Sequence, residues 1–137
     1  MITIPDMNRR HAAVLLVALL ANVAAAAPPT PAPATMPVKP YLGTFVYRYG
    51  AFHIKAEVQD EKTLKWTILQ GMPGNPSEEC VVERREIRSD IYLATWVEMS
   101  GAAVTQVSDF TNMTATSTIV QNGRSTVFVG TIERVKP

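Results

Sequence analysis

Turn-forming residues interrupt this sequence at short, regular intervals over residues 42–135, and this spacing constrains its fold more than any other feature. Between the turns lie short runs rich in Val, Ile, Thr and aromatic residues, the composition that strands prefer. No window combines helical periodicity with the residues that cap helices. The sequence therefore predicts an all-β domain.

The turns also indicate how the strands connect. Gly50 and the pair Asn122-Gly123 are typical of tight hairpins, and residues 71–76 (GMPGNP) form a longer break. We predict eight strands, over residues 42–49, 51–58, 62–70, 79–88, 91–98, 102–110, 113–121 and 125–135. Strands joined in order by short turns favour an antiparallel up-and-down barrel. A two-sheet sandwich with a similar number of strands is the alternative.

The N-terminal region has the features of a secretory signal. Arg9 and Arg10 precede an apolar run over residues 12–21, and the small residues Ala24, Ala25 and Ala26 fit a cleavage site. The apolar run is about 10 residues long, too short to cross a bilayer. We therefore predict a signal peptide over residues 1–26 and export to the periplasm or the medium of a bacterium, without membrane insertion after cleavage. An uncleaved membrane anchor is the alternative.

The mature chain is predicted to have two parts. Residues 27–40 contain six of the ten prolines and read as an extended linker. Residues 41–137 have the length of one domain. The predicted mature chain has 11 basic and 11 acidic residues, and this balance argues against nucleic acid as a partner. Cys80 has no second cysteine to pair with, and His53 has no partner at metal-ligand spacing, so we expect no metal site and no cofactor.

Alternation with a period of two predicts which side chains face the barrel interior. The inward set would include the predicted ligand-binding residues Phe45, Tyr47, Tyr49, Trp66, Trp96 and Glu98. Aromatic walls with few polar groups are typical of a small-molecule cavity. Burial would raise the pKa of Glu98 and suit it to acid–base chemistry. In the alternative, the aromatic side chains fill a solid core and Glu98 lies in water.

For two predicted strands the sequence does not determine which face points into the barrel. Residues 91–98 are apolar on both faces, which suits either packing or an interface, and a homodimer or a protein-interaction module is one alternative function. Residues 83–88 form a dense charge run that we expect to be solvated. The alternative turns Arg84 or Arg88 inward as a partner for an anion.

The sequence resembles the molybdenum cofactor biosynthesis protein F-like proteins and, more distantly, the bacterial phenolic acid decarboxylases. The resemblance extends over residues 43–134 and rests on short motifs: Tyr47-x-Tyr49-Gly50, Asp60-x-x-Thr63-x-x-Trp66, Asp90-Ile91-Tyr92, Trp96-Val97-Glu98-x-x-Gly101, Val107-Ser108-Asp109-Phe110 and Gly130-Thr131-Ile132. It implies a calycin-type, lipocalin-like barrel.

The resemblance also implies roles for particular residues. In the decarboxylases two tyrosines and an arginine hold the substrate carboxylate, and a glutamate takes part in proton transfer. Tyr47 and Glu98 match the second tyrosine and the glutamate, whereas Phe45 replaces the first tyrosine and residues 71–76 offer no arginine. We expect a barrel that binds a small apolar or aromatic molecule. A cofactor-free lyase, decarboxylase or isomerase acting on a phenolic-type molecule, with Glu98 and Tyr47 catalytic, is the alternative.

Overall fold

The computed structural model describes residues 26–29 and 38–137, and the barrel lies within the unit Met36–Pro137. Almost all of the predicted signal peptide, residues 1–26, lies outside the described residues, as does most of the predicted linker, residues 27–40. Both assignments therefore stay predictions.

Nine antiparallel strands and no helix make up the described part of the chain, which confirms the all-β prediction. In chain order the strands are β1 (Gly43–Tyr49), β2 (Phe52–Val58), β3 (Thr63–Gln70), β4 (Ser77–Val81), β5 (Glu83–Arg88), β6 (Ile91–Val97), β7 (Ala103–Asp109), β8 (Thr114–Gln121) and β9 (Arg124–Arg134). They form one sheet in the order β4-β3-β2-β1-β9-β8-β7-β6-β5. The sheet is an up-and-down meander that β9 completes by pairing with β1.

The two outermost strands of this sheet, β4 and β5, are consecutive in the chain and are separated only by Val82. β4 pairs with β3 and β5 pairs with β6, so residues 77–88 bridge both edges and curl the sheet into a nearly closed barrel. Val82 is 2% exposed, and its N–H donates to the carbonyl of Lys62 at 2.7 Å. The predicted fourth strand, residues 79–88, is therefore divided at Val82, because its two halves pair with different neighbours.

The strand faces follow the predicted period of two. On β1 the buried residues Phe45, Tyr47 and Tyr49 alternate with more exposed ones. Tyr47 lies opposite Ile54 of β2 and Ile132 of β9, and all three side chains belong to the interior. The core is thus the inside of the barrel, and its walls carry the predicted inward set.

The β8–β9 hairpin shows how local sequence fixes the register. Asn122 and Gly123 have φ angles of 51° and 71°, the left-handed conformation that a two-residue type I′ turn requires at both positions. The turn pairs Gln121 with Arg124 and starts a ladder that continues to Thr114 opposite Thr131. This register places Ser117 and Phe128 side by side in the interior.

Candidate functional site

The barrel encloses a cavity of about 250 Å³, and side chains from both halves of the sheet line it. Its wall is mainly aromatic and aliphatic, with a small number of polar groups among them. This combination is typical of small-molecule sites, in which apolar surface supplies affinity and a few polar groups orient the ligand.

Five of the six residues predicted to bind a ligand line this cavity: Tyr47, Tyr49, Trp66, Trp96 and Glu98. Phe45 shares their sheet face but does not line it. It is fully buried, and its ring packs 5.4 Å from that of Phe110, with the Arg134 guanidinium 4.5 Å from its centroid. Arg134 in turn donates to the carbonyls of Pro40 and Leu42, so Phe45 packs against a guanidinium that is held by the residues before β1.

A ladder of polar side chains crosses one wall of the cavity. The Tyr49 hydroxyl lies 3.1 Å from Gln106 Oε1 and 2.8 Å from Ser117 Oγ, and Ser117 Oγ lies 2.9 Å from the same Gln106 oxygen. Gln106 Nε2 donates to Ser108 Oγ at 3.0 Å, and Ser108 Oγ lies 3.5 Å from the Tyr47 hydroxyl. Burial raises the pKa of both tyrosines, so each stays a neutral donor at ordinary pH.

The hydroxyl groups of this ladder have one more proton to donate than the ladder has acceptors for. Tyr49 and Ser117 can both direct their protons within the group that they form with the Gln106 oxygen. Tyr47 and Ser108 share a single long contact, which uses one of their two hydroxyl protons. The other proton has no acceptor among the described residues and can serve a ligand in the cavity.

Arg84 is a cavity residue that the main sequence interpretation placed in solvent. Its neighbours Glu83, Arg85, Glu86 and Arg88 are exposed as predicted, but Arg84 is half-buried and lines the cavity. Its Nη1 donates to the carbonyls of Asp60 and Glu61 at 3.1 and 2.7 Å, and its guanidinium lies 5.1 Å from the Tyr41 ring centroid.

These tethers orient the Arg84 guanidinium without neutralising it. No carboxylate makes a salt bridge to Arg84 in the described part of the chain, and desolvation lowers the pKa of the guanidinium. Asp60 and Glu61 lie near enough for their charges to favour the cation, but neither carboxylate bonds to it, so the guanidinium can still bind an anion or a strong acceptor.

Glu98 lies at another corner of the cavity, directly after β6. Burial is the main cause that raises its pKa, and the charge of Glu78 adds to the effect. The Ser100 hydroxyl donates to Glu98 at 3.5 Å, while Glu78 accepts the Met99 N–H at 2.7 Å. Two carboxylates thus meet where β4 approaches β6, and Glu98 is the one that lines the cavity.

Both indole N–H groups near this corner are buried without a hydrogen-bond partner among the described residues, those of Trp66 and Trp96. The Trp96 N–H is near enough to Glu98 to favour its charged form, although its geometry falls short of a hydrogen bond. Two unpaired donors beside a carboxylate leave this corner able to accommodate a polar ligand group after a small rearrangement.

Metal binding has no support in the residues that the structure describes, where no group of three His, Cys, Asp or Glu side chains converges. His53 lies on the outer face of β2, and its Nδ1 is 3.2 Å from Arg48 Nη1. Cys80 is buried, and desolvation raises the pKa of its thiol to about 11.

The sequence interpretation missed three polar residues of the cavity wall, Gln106, Ser108 and Ser117, and gave an inward Arg84 only as an alternative. The two serines and Gln106 have the same period of two as their inward neighbours Val104 and Ala115, so alternation on β7 and β8 contained the signal. Arg84 carried no such signal, because charged residues occupy both faces of β5.

The strands that build this cavity match one family along almost their whole length. A family profile described as MoaF-like covers residues 43–133, from the start of β1 to the end of β9 but for one residue. The chain belongs to the MoaF-like family. This confirms the resemblance to the molybdenum cofactor biosynthesis protein F-like proteins and the calycin-type barrel that it implied.

A protein of known structure has a fold similar to this MoaF-like barrel. A crystal structure described as a putative β-lactamase from Burkholderia vietnamiensis is similar, with a TM-score of 0.66 and 20% sequence identity, over 70% of this chain and 96% of that chain. At this identity the likeness shows the fold alone. No curated protein matches the sequence. Within its described residues the MoaF-like protein has no helix that could span a membrane.

Proposed function

We propose that this MoaF-like protein binds a small aromatic or apolar molecule inside its barrel, and that the molecule carries a hydrogen-bond acceptor. The observation that carries the proposal is the 250 Å³ cavity, whose apolar wall is interrupted by donors at a few positions. This volume corresponds to about eight water molecules, at about 30 Å³ each, and suits a ligand of one or two rings.

The donors support a particular orientation for the ligand. Tyr47, Ser108 and Arg84 all line the cavity, and Nη2 and Nε of Arg84 make no hydrogen bond among the described residues. A carboxylate accepts from an arginine and a hydroxyl together, and such charge-assisted bonds are about twice as strong as neutral ones. The apolar body of the ligand would then lie along Trp66 and Trp96.

Native mass spectrometry tests this proposal directly. The protein is purified from its own host and weighed before and after mild denaturation. We expect a released small molecule with an acidic group and an aromatic or apolar body. A barrel that carries nothing and binds no member of a panel of benzoic, phenylpropanoic and naphthoic acids would contradict the proposal.

The orientation has its own test, for which adjacent residues give a matched pair. Arg84→Gln should weaken binding of a carboxylic acid from that panel more than tenfold, a loss of about 1.4 kcal/mol or more, and should have little effect on the uncharged amide of the same acid. Arg85→Gln, on the exposed face of β5, is the control and should bind both compounds as the parent does.

The location of the ligand is tested by filling the cavity. Ala94 lines the cavity on β6, whereas Ala103 is exposed on β7. Ala94→Phe should abolish binding because the ring occupies the ligand volume, and Ala103→Phe should leave binding intact. Equal binding by both folded variants would place the ligand elsewhere.

A second candidate function is catalysis by a cofactor-free lyase, decarboxylase or isomerase acting on a phenolic-type molecule. The observation that favours it is the position of Glu98 in the cavity wall, where burial raises the pKa of its carboxyl and suits it to exchange protons with a substrate. Tyr47 would donate a hydrogen bond. If the Glu98→Gln variant turns over an accepted substrate as fast as the parent protein does, this role is excluded.

Export is also a proposal, supported by the basic, apolar and small-residue segments of residues 1–26. Mass measurement of the protein recovered from its host should give a chain that starts at Ala27. A protein that retains its N-terminal apolar run in the membrane fraction would favour the anchor.

A further inference from the structure

The interior of the barrel changes from apolar to polar beside the β8–β9 turn. Ile119 on β8 and Phe128 on β9 are the last apolar residues of their inward rows, and both are half-buried. Closer to the turn, Thr126 lies opposite Ile119, and Arg124 lies opposite Gln121. These polar side chains are exposed. Ile119 and Phe128 therefore mark the limit of the apolar interior at this end of the barrel.

The polar residues near the turn line a second concavity, which we call the recess. Its volume is about 550 Å³, against about 250 Å³ for the cavity. Ile119 and Phe128 line both the cavity and the recess. The rest of the recess wall is polar and consists of Gln121, Asn122, Arg124 and Thr126. The cavity and the recess therefore adjoin at the side chains of Ile119 and Phe128.

Phe128 closes the cavity where β9 continues past β1. Pairing between these two strands ends at Thr131, and residues 124–130 pair only with β8 among the described residues. The centroid of the Phe128 ring lies 5.8 Å from that of Phe52 and 6.0 Å from that of Tyr49. These contacts join side chains alone, so the Phe128 ring can turn aside without breaking a strand pairing.

Phe128 and Arg84 lie at opposite ends of the cavity. Arg84 donates to the carbonyls of Asp60 and Glu61, in the turn that follows β2. The Phe128 ring packs on Phe52, the first residue of β2. Since Arg84 and Phe128 both line the cavity, a ligand whose carboxylate binds Arg84 has its apolar body directed toward Phe128.

We propose that Phe128 is a specificity-determining residue that limits the length of the ligand. The inference rests on the proposed function, because it takes the ligand to be an acid held at Arg84. Acids whose apolar body ends before the Phe128 ring bury all of that body in the cavity. A longer tail has to displace the ring from Phe52 and Tyr49 and enter the recess, where it meets polar side chains and solvent. The protein therefore selects short, compact carboxylic acids over long-chain ones.

A series of acids of increasing length tests the proposal on protein purified from cells that express the full chain. The series runs from phenylacetic acid to phenyloctanoic acid, with an unbranched chain between carboxylate and ring, and calorimetry measures binding. Affinity should rise about fourfold with each methylene that the cavity buries, and should fall at the first acid that reaches Phe128. Phe128→Ala should bind that acid at least about tenfold more tightly than the parent does. Phe128→Trp, which keeps an aromatic ring, should impose the limit at a shorter acid.

Phe110→Ala is the matched control, and circular dichroism checks that each variant folds. Phe110 lines the cavity but not the recess, and its ring packs on those of Phe45 and Tyr92, so its removal should leave the limit at the same acid. A parent protein that shows no limit overturns the inference while the proposed function stands. The same holds if both Phe128 variants keep the parent's limit, or if Phe110→Ala moves it as far as Phe128→Ala does. If the parent binds no acid at all, the proposed function fails and the inference fails with it.

Discussion

Tyr47 and Tyr49 point into the same cavity from one strand, yet their hydroxyl groups are held differently. Tyr49 is within 3.1 Å of two polar partners, Gln106 and Ser117, whereas Tyr47 has one partner, Ser108, at 3.5 Å. Tyr49 therefore contributes to stability through a closed group of hydrogen bonds. The Tyr47–Ser108 pair keeps a donor that a ligand can use.

The two tyrosines should thus respond in opposite ways to loss of the hydroxyl. We expect Tyr49→Phe to lower the free energy of unfolding by about 1–2 kcal/mol, since it leaves a buried polar group with fewer partners. Tyr47→Phe should cost less than about 0.5 kcal/mol in stability but should weaken ligand binding. Chemical denaturation of both variants measures the difference, and equal stability losses would contradict it.

Glu98 gives a pH-dependent prediction. Its pKa is raised above the ordinary value of 4.5, so the folded protein holds this proton more tightly than the unfolded chain does. Stability from the protonated form is present at low pH and is lost as the pH rises through the raised pKa. Glu98→Gln should therefore match the parent below about pH 4 and be more stable near pH 7, by less than about 1 kcal/mol because the group is partly solvated.

Denaturation curves at a series of pH values measure this effect. Glu79→Gln, which changes an exposed carboxylate on the neighbouring strand β4, is the control and should show a smaller pH-dependent difference from the parent. A Glu98→Gln variant that is destabilised only at neutral pH would reverse the sign and contradict the burial argument.

At the scale of elements, the junction of β4 and β5 depends on one buried side chain. Val82 is 2% exposed, while Val81 beside it is 82% exposed. Val82→Ala removes two buried methyl groups and should lower the free energy of unfolding by about 2 kcal/mol. Val81→Ala should change it by less than about 0.5 kcal/mol. Thermal and urea denaturation compare the two, and similar losses would show that the junction is not packed as described.

Gly130 allows β9 to approach β1 closely where the two strands begin to pair. A Cβ at Gly130 would collide with the backbone carbonyl of Arg48 and the ring of Tyr49. Gly130→Ala should therefore lower the free energy of unfolding by about 3 kcal/mol or more. Gly123→Ala meets no neighbouring atoms and carries only the cost of its left-handed backbone, about 1–2 kcal/mol.

The sequence predicted the strands better than the site, for reasons that particular residues make clear. Period-two alternation placed the strand ends within about two residues of those observed, because most strands have an apolar face to bury, but it joined β4 and β5 into one strand. It put Phe45 on the correct face but could not predict that Phe45 does not line the cavity, because the period fixes the face of a residue and not its position along the barrel axis. Nor could it orient Arg84, whose direction depends on carbonyl groups of the distant turn at Asp60 and Glu61.

At the scale of the whole molecule, Cys80 reports on opening of the barrel. It is the one cysteine in the sequence, it is 5% exposed, and burial raises its pKa to about 11. We expect a thiol reagent to label the native protein slowly, at a rate that rises about tenfold per pH unit below pH 9 as the thiolate fraction grows. In denaturant, labelling should accelerate along the same transition as tryptophan fluorescence. Rapid labelling of the native protein would show that the β4 wall opens independently.

Residues 77–88, which bridge both edges of the sheet, are the segment whose detachment would most expose the protein to aggregation. Since one short run covers the backbone groups of both β3 and β6, its detachment would uncover two sheet edges at the same moment. Free edges are templates on which other chains can add as strands. We therefore expect the hydrogen bond from Val82 to Lys62 and the burial of Val82 to protect the protein against aggregation through its sheet edges.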